Sequence, residues 1–374
     1  MDTIMGDIFI SGTGLWTPEH SVSNEELVES FNSYVALYNE KNKDAITSGD
    51  LHALEESSCE FIVKASGIEN RYVIEKDSLL NPEIMKPMIP AREDGELSVQ
   101  AEICVIAANA ALEDAGLQAS DIDAVIVSAA NIQRAYPAIA IEVQAALGIN
   151  GYAYDMIVGC SSTTFAISNA YSDIASGKAN KILVINPEIT SAHSNYKNRD
   201  CHFIFGDICT AAVVEKDSKS SKKFKIHNAK LKTQFSNNIR NNFGFMNAIE
   251  DKDYSESGLL FKQNGRSVFK EVMPMVAELV TDHLAENNLI AEDVEQFWLH
   301  QANINMNTYV VRKLLGENFP EERAPNVLKD YGNTGSAGSL IAFHKHNHLD
   351  IGQKGIICSF GAGYSICSIL IERA

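Results

Sequence analysis

The sequence contains no C-x-x-C pair, and its cysteines are not clustered. Seven cysteines are scattered over the 374 residues, at positions 59, 104, 160, 201, 209, 358 and 367. A disulfide framework and a zinc knuckle both need shorter, paired spacings. We therefore expect reduced thiols, each of which is either a small buried side chain or a nucleophile.

Long apolar runs and a basic leader are also missing. No apolar stretch reaches the roughly 18 residues that a membrane helix needs. The first residues, MDTIMGDIFISGTG, carry acid where a signal peptide carries base. We expect a cytoplasmic protein that does not insert into a membrane.

Positive charge is scarce, with 31 Lys+Arg against 49 Asp+Glu and a net charge of −18. This excess of acid argues against a nucleic-acid partner, because affinity for duplexes depends on neutralising phosphates. An acidic protein partner is repelled as well, unless a local basic patch overrides the net charge.

Two segments of the chain, 112–132 and 284–304, repeat one another. Leucine, aspartate and a closing Ala-Asn-Ile recur at a constant offset of 172 residues. Each copy predicts a helix, a polar link and a short apolar strand, followed by a helix that ends on glycine. We infer two duplicated α/β halves with largely covered sheets, residues 1–187 and 188–374.

Residues 29–97 break this regularity. The stretch is polar and holds three of the nine prolines. We interpret it as an excursion with loops between early elements, and long loops in compact domains are often lids or binding loops.

Cys160 follows a predicted strand, YDMIV at 154–158, and precedes a predicted helix over 161–176. Backbone N–H groups and the positive end of the helix dipole favour a thiolate at such a position. The alternative is a buried thiol without a chemical role, which is common for cysteine. We assign that role to the thiols at 104, 201, 209, 358 and 367, which lack this glycine-cysteine-helix context.

Two further residues lie at comparable turns. His300 ends the strand EQFWL, and Asn333 in YGNTGSAGS lies 173 residues after Cys160, at the equivalent turn of the second half. Ligands of α/β proteins bind at the carboxyl ends of strands. Alone, His300 is also explained as a satisfied strand-end histidine and Asn333 as a helix N-cap. Together they form a Cys-His-Asn set, which serves peptide hydrolysis as well as acyl transfer.

Seven motifs extend the pattern over nearly the whole chain: GIENR (67–71), GCSSTTFAISNA, FIFGDICTAAVV (203–214), NGRSVFK (264–270), LHQANINM, YGNTGSAGS and FGAGYS (360–365). As a set they resemble the thiolase superfamily, and specifically the ketoacyl-ACP synthase III family. The resemblance implies a thiolase-like α/β fold, in which two pseudo-duplicated halves form five layers, α-β-α-β-α. It also implies a homodimer.

The resemblance further implies roles for the candidate residues. Cys160 would accept the acyl group, and His300 and Asn333 would bind the malonyl thioester carbonyl. The backbone N–H groups of Cys160 and Gly363 would form the oxyanion hole. The expected reaction is a decarboxylative condensation of acyl-CoA with malonyl-ACP, which gives 3-oxoacyl-ACP, CO₂ and CoA in fatty acid biosynthesis.

This expected chemistry uses neither a cofactor nor a metal. The histidines of HKHNH at 344–348 invite a metal site. However, a spacing of two residues on a helix directs side chains to different faces. We therefore predict no metal centre there.

By the same resemblance, Lys270, Arg312 and Lys313 would bind the acidic acyl carrier protein. The family usually carries an additional arginine at the position of Asn305, so the carrier contacts of this chain are expected to differ. An alternative on the same fold is a chalcone-synthase-like polyketide enzyme or a secondary-metabolite acyltransferase. A non-catalytic subunit would be expected to lack part of the Cys-His-Asn set.

The primer site departs from the family pattern. CoA-primed members clamp adenine with a tryptophan and, four residues later, an arginine, and these positions hold Phe61 and Ala65. Phe61 retains the stacking face, and only Lys64 and Arg71 supply nearby cations. We expect Phe61 and Lys64 at the acyl-CoA entrance, and a medium-chain primer instead of acetyl-CoA.

Overall fold

The structure is a computed structural model that describes residues 6–250 and 256–374. Its strands are β1 (Ile8–Trp16), β2 (His20–Ser23), β3 (Asn70–Val73), β4 (Ala124–Ser128), β5 (Tyr152–Met156), β6 (Lys181–Glu188), β7 (Ile208–Lys216), β8 (Phe224–Thr233), β9 (Ile239–Arg240), β10 (Lys262–Gln263), β11 (Val294–Leu299), β12 (Lys354–Gly361) and β13 (Ser365–Arg373). Its α-helices are α1 (Asn24–Lys41), α2 (Lys43–Ser48), α3 (Cys59–Ser66), α4 (Val99–Ala115), α5 (Ile139–Leu147), α6 (Ser162–Ala175), α7 (Glu256–Leu259), α8 (Gly265–Glu286), α9 (Ile304–Leu315), α10 (Leu328–Tyr331) and α11 (Gly338–Lys345). Within the two described ranges, no helix has the length and apolar character needed to cross a membrane.

Nine strands form one mixed sheet in the order β11-β12-β13-β8-β1-β7-β6-β4-β5. The two halves of this sheet have the same connectivity. In each, a first strand pairs antiparallel with a return strand, which pairs antiparallel with a third strand, and the third pairs parallel with a fourth. The halves join where Phe9 and Ile10 of β1 pair with Lys225 and Phe224 of β8. This topology confirms the duplication inferred from the repeat.

The apolar core divides the molecule into five layers. Helices α6 and α11 lie in the centre, where Ile126 and Val184 of the first half-sheet and Ile357 and Ile369 of the second pack around them. The other face of the first half-sheet packs on α4 and α5, and that of the second packs on α8 and α9. The predicted α-β-α-β-α arrangement is confirmed. It places the two half-sheets on either side of the central helices.

The boundary between the half-sheets lies later than residues 187 and 188. Strand β7 pairs with β1 and β6 of the first half, and the second half-sheet begins with β8 at Phe224. The repeat covers only a helix, a strand and a helix, so it carries no information about the return strand that closes each half-sheet.

The interpretation of residues 29–97 as excursion and loop is wrong for the part that holds α1, α2, α3 and β3. Helix α1 begins with a capping box. Leu27, Phe31 and Val35, spaced four residues apart, are buried along one of its faces. This periodicity was present in the sequence. Residues 74–97 contain turns and bends without a helix or strand, as predicted.

Candidate active site

A cavity of about 310 Å³ is lined by Cys160, His300 and Asn333. The three side chains come from distant parts of the chain, which the duplicated fold brings together. Cys160 lies between β5 and α6, His300 follows β11, and Asn333 precedes α11. Each residue therefore lies at the carboxyl end of a strand or in a turn that leads into a central helix.

The hydroxyl residues after Cys160 fix its turn. Cys160 occupies a single 3-10 turn directly before α6. The hydroxyl of Ser161 donates to the carbonyl oxygen of Ser365 at 2.9 Å, and that of Thr163 donates to the carbonyl oxygen of Ser336 at 2.7 Å. Both hydroxyls are buried. The cluster therefore ties the cysteine turn to the second half of the molecule.

Burial raises the pKa of the Cys160 thiol to about 11, and the nearby Glu188 carboxyl also raises this pKa. The nearby backbone N–H of Ala362 lowers this pKa and so opposes the rise. The expectation that a helix N-terminus favours the thiolate is therefore wrong in its net direction. The reason is that desolvation of the charged form outweighs the N–H groups at this position.

The amide that contacts the thiol belongs to Ala362, one residue before the predicted Gly363. The neighbouring Gly361 packs closely against the cysteine: a Cβ at Gly361 would lie 2.6 Å from the Cys160 Cβ and 2.9 Å from the sulfur. This close packing requires glycine at position 361, and the Ala362 amide is a candidate, beside the predicted Gly363, for the second donor of an oxyanion hole.

His300 is fixed at the end of β11 and is buried. Its backbone N–H donates to the carbonyl oxygen of Cys358 at 2.8 Å, and its ring packs edge-to-face on Phe360 with 5.4 Å between centroids. Burial lowers the pKa of His300 to about 4, so the imidazole is neutral at pH 7. Nδ1 has no hydrogen-bond partner in the described part of the chain. A neutral imidazole offers one N–H donor.

Asn333 is held by its backbone on both sides. Its N–H donates to Ile204 at 2.8 Å, and its carbonyl oxygen accepts from Gly206 at 3.1 Å. The side-chain Oδ1 accepts from the Gly335 N–H at 3.1 Å, which leaves the Nδ2 hydrogens for a ligand. Helix α11 begins only at Gly338, so Asn333 is not its N-cap.

Apolar side chains form much of the remaining cavity wall. Two of them, Phe205 and Phe261, pack edge-to-face with 4.8 Å between ring centroids. The apolar lining comprises Phe203, Ile204, Phe205, Ile239, Phe261, Val268, Phe269, Val272, Met306 and Phe360. A wall of this composition suits an aliphatic chain more than a polar one.

Beside α3 lies an arginine that the sequence did not indicate. The guanidinium of Arg199 lies over the ring of Phe61, 4.1 Å from its centroid. Neither this pair nor Lys64, which is exposed on the same helix, is part of the cavity lining, whereas the adjacent Ala65 and Asp200 are. Arg71 is 1% exposed and lies in the core. Because Arg199 and Phe61 are far apart in the chain, no spacing relates them.

The three predicted carrier-binding residues are exposed on two adjoining helices, Lys270 on α8 and Arg312 and Lys313 on α9. The rings of Phe269 and Tyr309 join these helices edge-to-face, with 5.4 Å between centroids. Arg312 forms an ion pair with a neighbouring glutamate on the same surface. Both helices also contribute residues to the cavity wall, so these cations lie on elements that border the cavity.

Two more cations flank the cavity and were missed. Lys262 and Arg266 are exposed, and each adjoins a residue of the lining, Gln263 and Gly265. Arg266 precedes Lys270 by four residues, which places both on one face of α8. This spacing was the available signal for Arg266.

The histidines at 344–348 lie away from the cavity, at the end of α11. Nδ1 of His344 is within 2.7 Å of the hydroxyl of Thr13. His346 caps the helix. In the described ranges, no three His, Cys, Asp or Glu side chains form a potential metal site.

Comparison with known proteins identifies relatives over most of the chain. Residues 154–234 match the family model of 3-oxoacyl-[acyl-carrier-protein] synthase III, and residues 284–373 match the model of its C-terminal part. A β-ketodecanoyl-[acyl-carrier-protein] synthase of Pseudomonas aeruginosa is 52% identical over 349 residues, which cover 92% of this chain and 100% of the relative. A β-ketoacyl-[acyl-carrier-protein] synthase III of Methylococcus capsulatus is 28% identical, over 88% of this chain and 95% of the relative.

Solved structures have the same fold at lower identity. A 3-oxoacyl-[acyl-carrier-protein] synthase III from Aquifex aeolicus superposes with a TM-score of 0.75 at 23% identity, over 98% of this chain and 99% of the other. The priming β-ketosynthase of the R1128 polyketide pathway superposes with a TM-score of 0.77 at 22% identity, over 99% and 97% of the two chains. At these identities, the likeness concerns the fold alone.

Proposed function

The chain belongs to the 3-oxoacyl-[acyl-carrier-protein] synthase III family of acyltransferases, and we propose that it condenses a medium-chain acyl-CoA with malonyl-ACP in fatty acid biosynthesis. One observation carries this proposal: Cys160, His300 and Asn333 line one cavity whose remaining wall is largely apolar. The relative at 52% identity is named a β-ketodecanoyl-[acyl-carrier-protein] synthase, and a 3-oxoacyl product on the carrier protein favours this reaction over the polyketide and acyltransferase alternatives.

In the first half-reaction, the sulfur of Cys160 attacks the carbonyl carbon of the acyl-CoA. The oxyanion of the tetrahedral intermediate accepts hydrogen bonds from the N–H groups of Cys160 and Ala362. The carbon–sulfur bond to CoA then breaks, and the proton of the thiol leaves with the CoA thiolate as CoA-SH. Because the free thiol has a raised pKa, deprotonation is coupled to attack on the bound thioester.

In the second half-reaction, malonyl-ACP loses CO₂, and the bonding electron pair becomes the enolate of acetyl-ACP. The enolate oxygen accepts hydrogen bonds from the N–H of neutral His300 and from Nδ2 of Asn333. Such donors stabilise charge that develops in the transition state. The enolate carbon attacks the carbonyl carbon of the acyl group, and the carbon–sulfur bond to Cys160 breaks, which releases 3-oxoacyl-ACP. The cysteine leaves as a thiolate and takes up a proton from solvent, because its pKa in this site is raised. Every bond made or broken belongs to a substrate or to Cys160, so the reaction needs no cofactor.

We propose an octanoyl group as the primer. The name of the Pseudomonas relative specifies a ten-carbon product, and the condensation adds two carbons. The phenylalanine-rich wall of the cavity supports an aliphatic chain, because each buried methylene contributes about 0.8 kcal/mol. The primer arrives on CoA, and its adenine stacks beside Phe61, where Arg199 supplies the guanidinium that is absent at position 65.

The carrier protein docks on the exposed face of α8 and α9. Lys270, Arg312 and Lys313 supply positive charge there, and Lys262 and Arg266 extend it to the cavity. A local patch of this sign attracts an acidic carrier despite the net charge of −18. Salt should therefore weaken use of malonyl-ACP more than use of acyl-CoA.

We also propose a cytoplasmic homodimer. Strand β5 ends the nine-stranded sheet, and among the strands that the structure describes it pairs only with β4. Its residues are half-buried, and the neighbouring Ile141 and Ile157 are 49% and 60% exposed. A second copy would cover this edge, which otherwise offers unpaired backbone groups. Light scattering of the purified protein should give twice the chain mass, and a monomer would contradict the proposal.

The proposed reaction is tested with purified protein, malonyl-ACP and acyl-CoA primers from two to twelve carbons, with the products identified by mass spectrometry. We expect 3-oxodecanoyl-ACP from octanoyl-CoA and no product from Cys160→Ala. Cys104→Ala is the matched control, because this buried thiol lies in the outer helix layer and should keep activity. Absence of any 3-oxoacyl-ACP with the wild-type protein would contradict the proposal.

A further inference from the structure

The duplication relates a glutamate of the first half to a glycine of the second. Strand β6 ends at Glu188 and strand β12 ends at Gly361. They are 173 residues apart, the same offset that relates Cys160 to Asn333. Glu188 and Gly361 are therefore equivalent positions in the two halves. Gly361 lies beside the Cys160 turn, and Glu188 lies beside the Asn333 turn.

At each turn, one side chain packs against one glycine, but strand and turn contribute them in the opposite way in the two halves. At the cysteine turn, Gly361 leaves room for the thiol, since an added Cβ would lie 2.6 Å from that of Cys160. At the asparagine turn, the strand supplies the side chain and the turn supplies the glycine. A Cβ at Gly335 would lie 2.7 Å from the Glu188 carboxyl carbon. The Glu188 carboxyl thus fills the space that Gly335 leaves.

A single oxygen of Glu188 collects three hydrogen bonds. Oε1 accepts from the backbone N–H of Ser336 at 2.8 Å, from its hydroxyl at 2.5 Å and from the backbone N–H of Ala130 at 2.9 Å. Glu188 is 1% exposed. All three donors are neutral, so this carboxyl is bound by a polar turn and not by an ion pair.

This turn also orients the asparagine. The Gly335 N–H donates to Oδ1 of Asn333, and the next residue, Ser336, is the one held by Glu188. Thr163, from the helix that follows Cys160, donates to the Ser336 carbonyl oxygen. The carboxyl therefore anchors Ser336, and the preceding Gly335 orients the side-chain amide of Asn333.

We propose that Glu188 is a positioning residue, which holds the 333–336 turn so that Nδ2 of Asn333 points at the malonyl thioester carbonyl. The proposal rests on the condensation reaction proposed above and assigns Glu188 to its second half. Loss of the anchor should impair decarboxylation, because misplacement of about 1 Å costs on the order of 100-fold in rate. It should change acylation of Cys160 much less, because burial and not the Glu188 carboxyl is the main cause of the raised thiol pKa.

Three variants test this role. Glu188→Ala removes all three acceptor bonds, Ser336→Ala removes the hydroxyl bond alone, and Glu188→Gln keeps a neutral oxygen acceptor at the position of Oε1. Burial raises the pKa of Glu188 to about 7, so a neutral glutamine is a close substitute near neutral pH. Octanoylation of Cys160 and release of CO₂ from malonyl-ACP are measured separately, with thermal melting as a check on folding.

We expect Glu188→Ala to acylate within about threefold of wild type and to lose decarboxylation kcat by about 100-fold. Glu188→Gln should recover to within about fivefold of wild type, and Ser336→Ala should fall between the two. If Glu188→Ala does not fold, the test rests on Ser336→Ala, in which CO₂ release should fall more than octanoylation of Cys160. Wild-type decarboxylation in the folded alanine variants, or equal loss of both half-reactions, would overturn the positioning role. Failure of wild-type protein to form 3-oxoacyl-ACP would instead overturn the proposed function.

Discussion

The reactivity of Cys160 should increase steeply with pH. The structure raises the pKa of this thiol to about 11, chiefly through burial, so it is protonated at neutral pH and the thiolate fraction falls tenfold for each pH unit below 11. Alkylation by iodoacetamide follows the thiolate. Between pH 7 and pH 10, the rate should therefore rise on the order of 1,000-fold. An ordinary thiol with a pKa of about 8.5 would rise about 30-fold and then level off.

The assay follows alkylation of the Cys160 peptide by mass spectrometry, so that the other six cysteines do not contribute. Cys160→Ala controls for assignment of the peptide, and circular dichroism at each pH checks that the fold persists. A rate that levels off below pH 9 would refute the reasoning. It would mean that the amides of the turn stabilise the thiolate more than burial destabilises it.

Three further predictions concern the walls and the surface of the site. Gly361→Ala should reduce acylation of the reactive thiol at least 100-fold, as measured by intact mass, because the added Cβ would lie 2.6 Å from the cysteine Cβ. Gly95→Ala, with no atom within 4 Å, is its control, and unchanged acylation in both would contradict the packing argument. Lys270→Glu with Lys313→Glu should raise KM for malonyl-ACP about tenfold and leave acylation intact. Lys219→Glu, at an exposed position beyond the end of β7, should leave this KM unchanged. An equal rise in KM in the double variant and in Lys219→Glu would disprove a local patch. In a primer series, kcat/KM should rise about fourfold per methylene from four to eight carbons, because each buried methylene contributes about 0.8 kcal/mol. A flat series would exclude the apolar cavity as the acyl site.

The duplication made the fold and the central part of the site predictable from the sequence. The constant offset between Cys160 and Asn333 placed both at equivalent turns, and His300 ended a strand of the same repeat. The paired half-sheets and the shared cavity agree with that inference. A repeat constrains what occurs twice, so it was informative about these turns.

Features that occur only once in the chain were harder to predict from the sequence. Arg199 reaches Phe61 only through tertiary packing, and no local spacing marks it. The direction of the Cys160 pKa shift depends on burial, which a helix-terminus argument does not measure. The choice between Ala362 and Gly363 as the amide beside the thiol depends on the path of the backbone after β12, which the sequence pattern does not give.

Separate measurement of the two half-reactions in His300→Ala tests the central claim most directly. The variant is incubated with octanoyl-CoA and its intact mass is determined, and malonyl-ACP is then added and 3-oxodecanoyl-ACP is quantified. We predict that Cys160 takes up one octanoyl group at close to the wild-type rate, while 3-oxodecanoyl-ACP falls at least 100-fold. Loss of octanoylation to the same extent as condensation would contradict the assignment of Cys160 to acyl transfer and of His300, with Asn333, to the malonyl carbonyl.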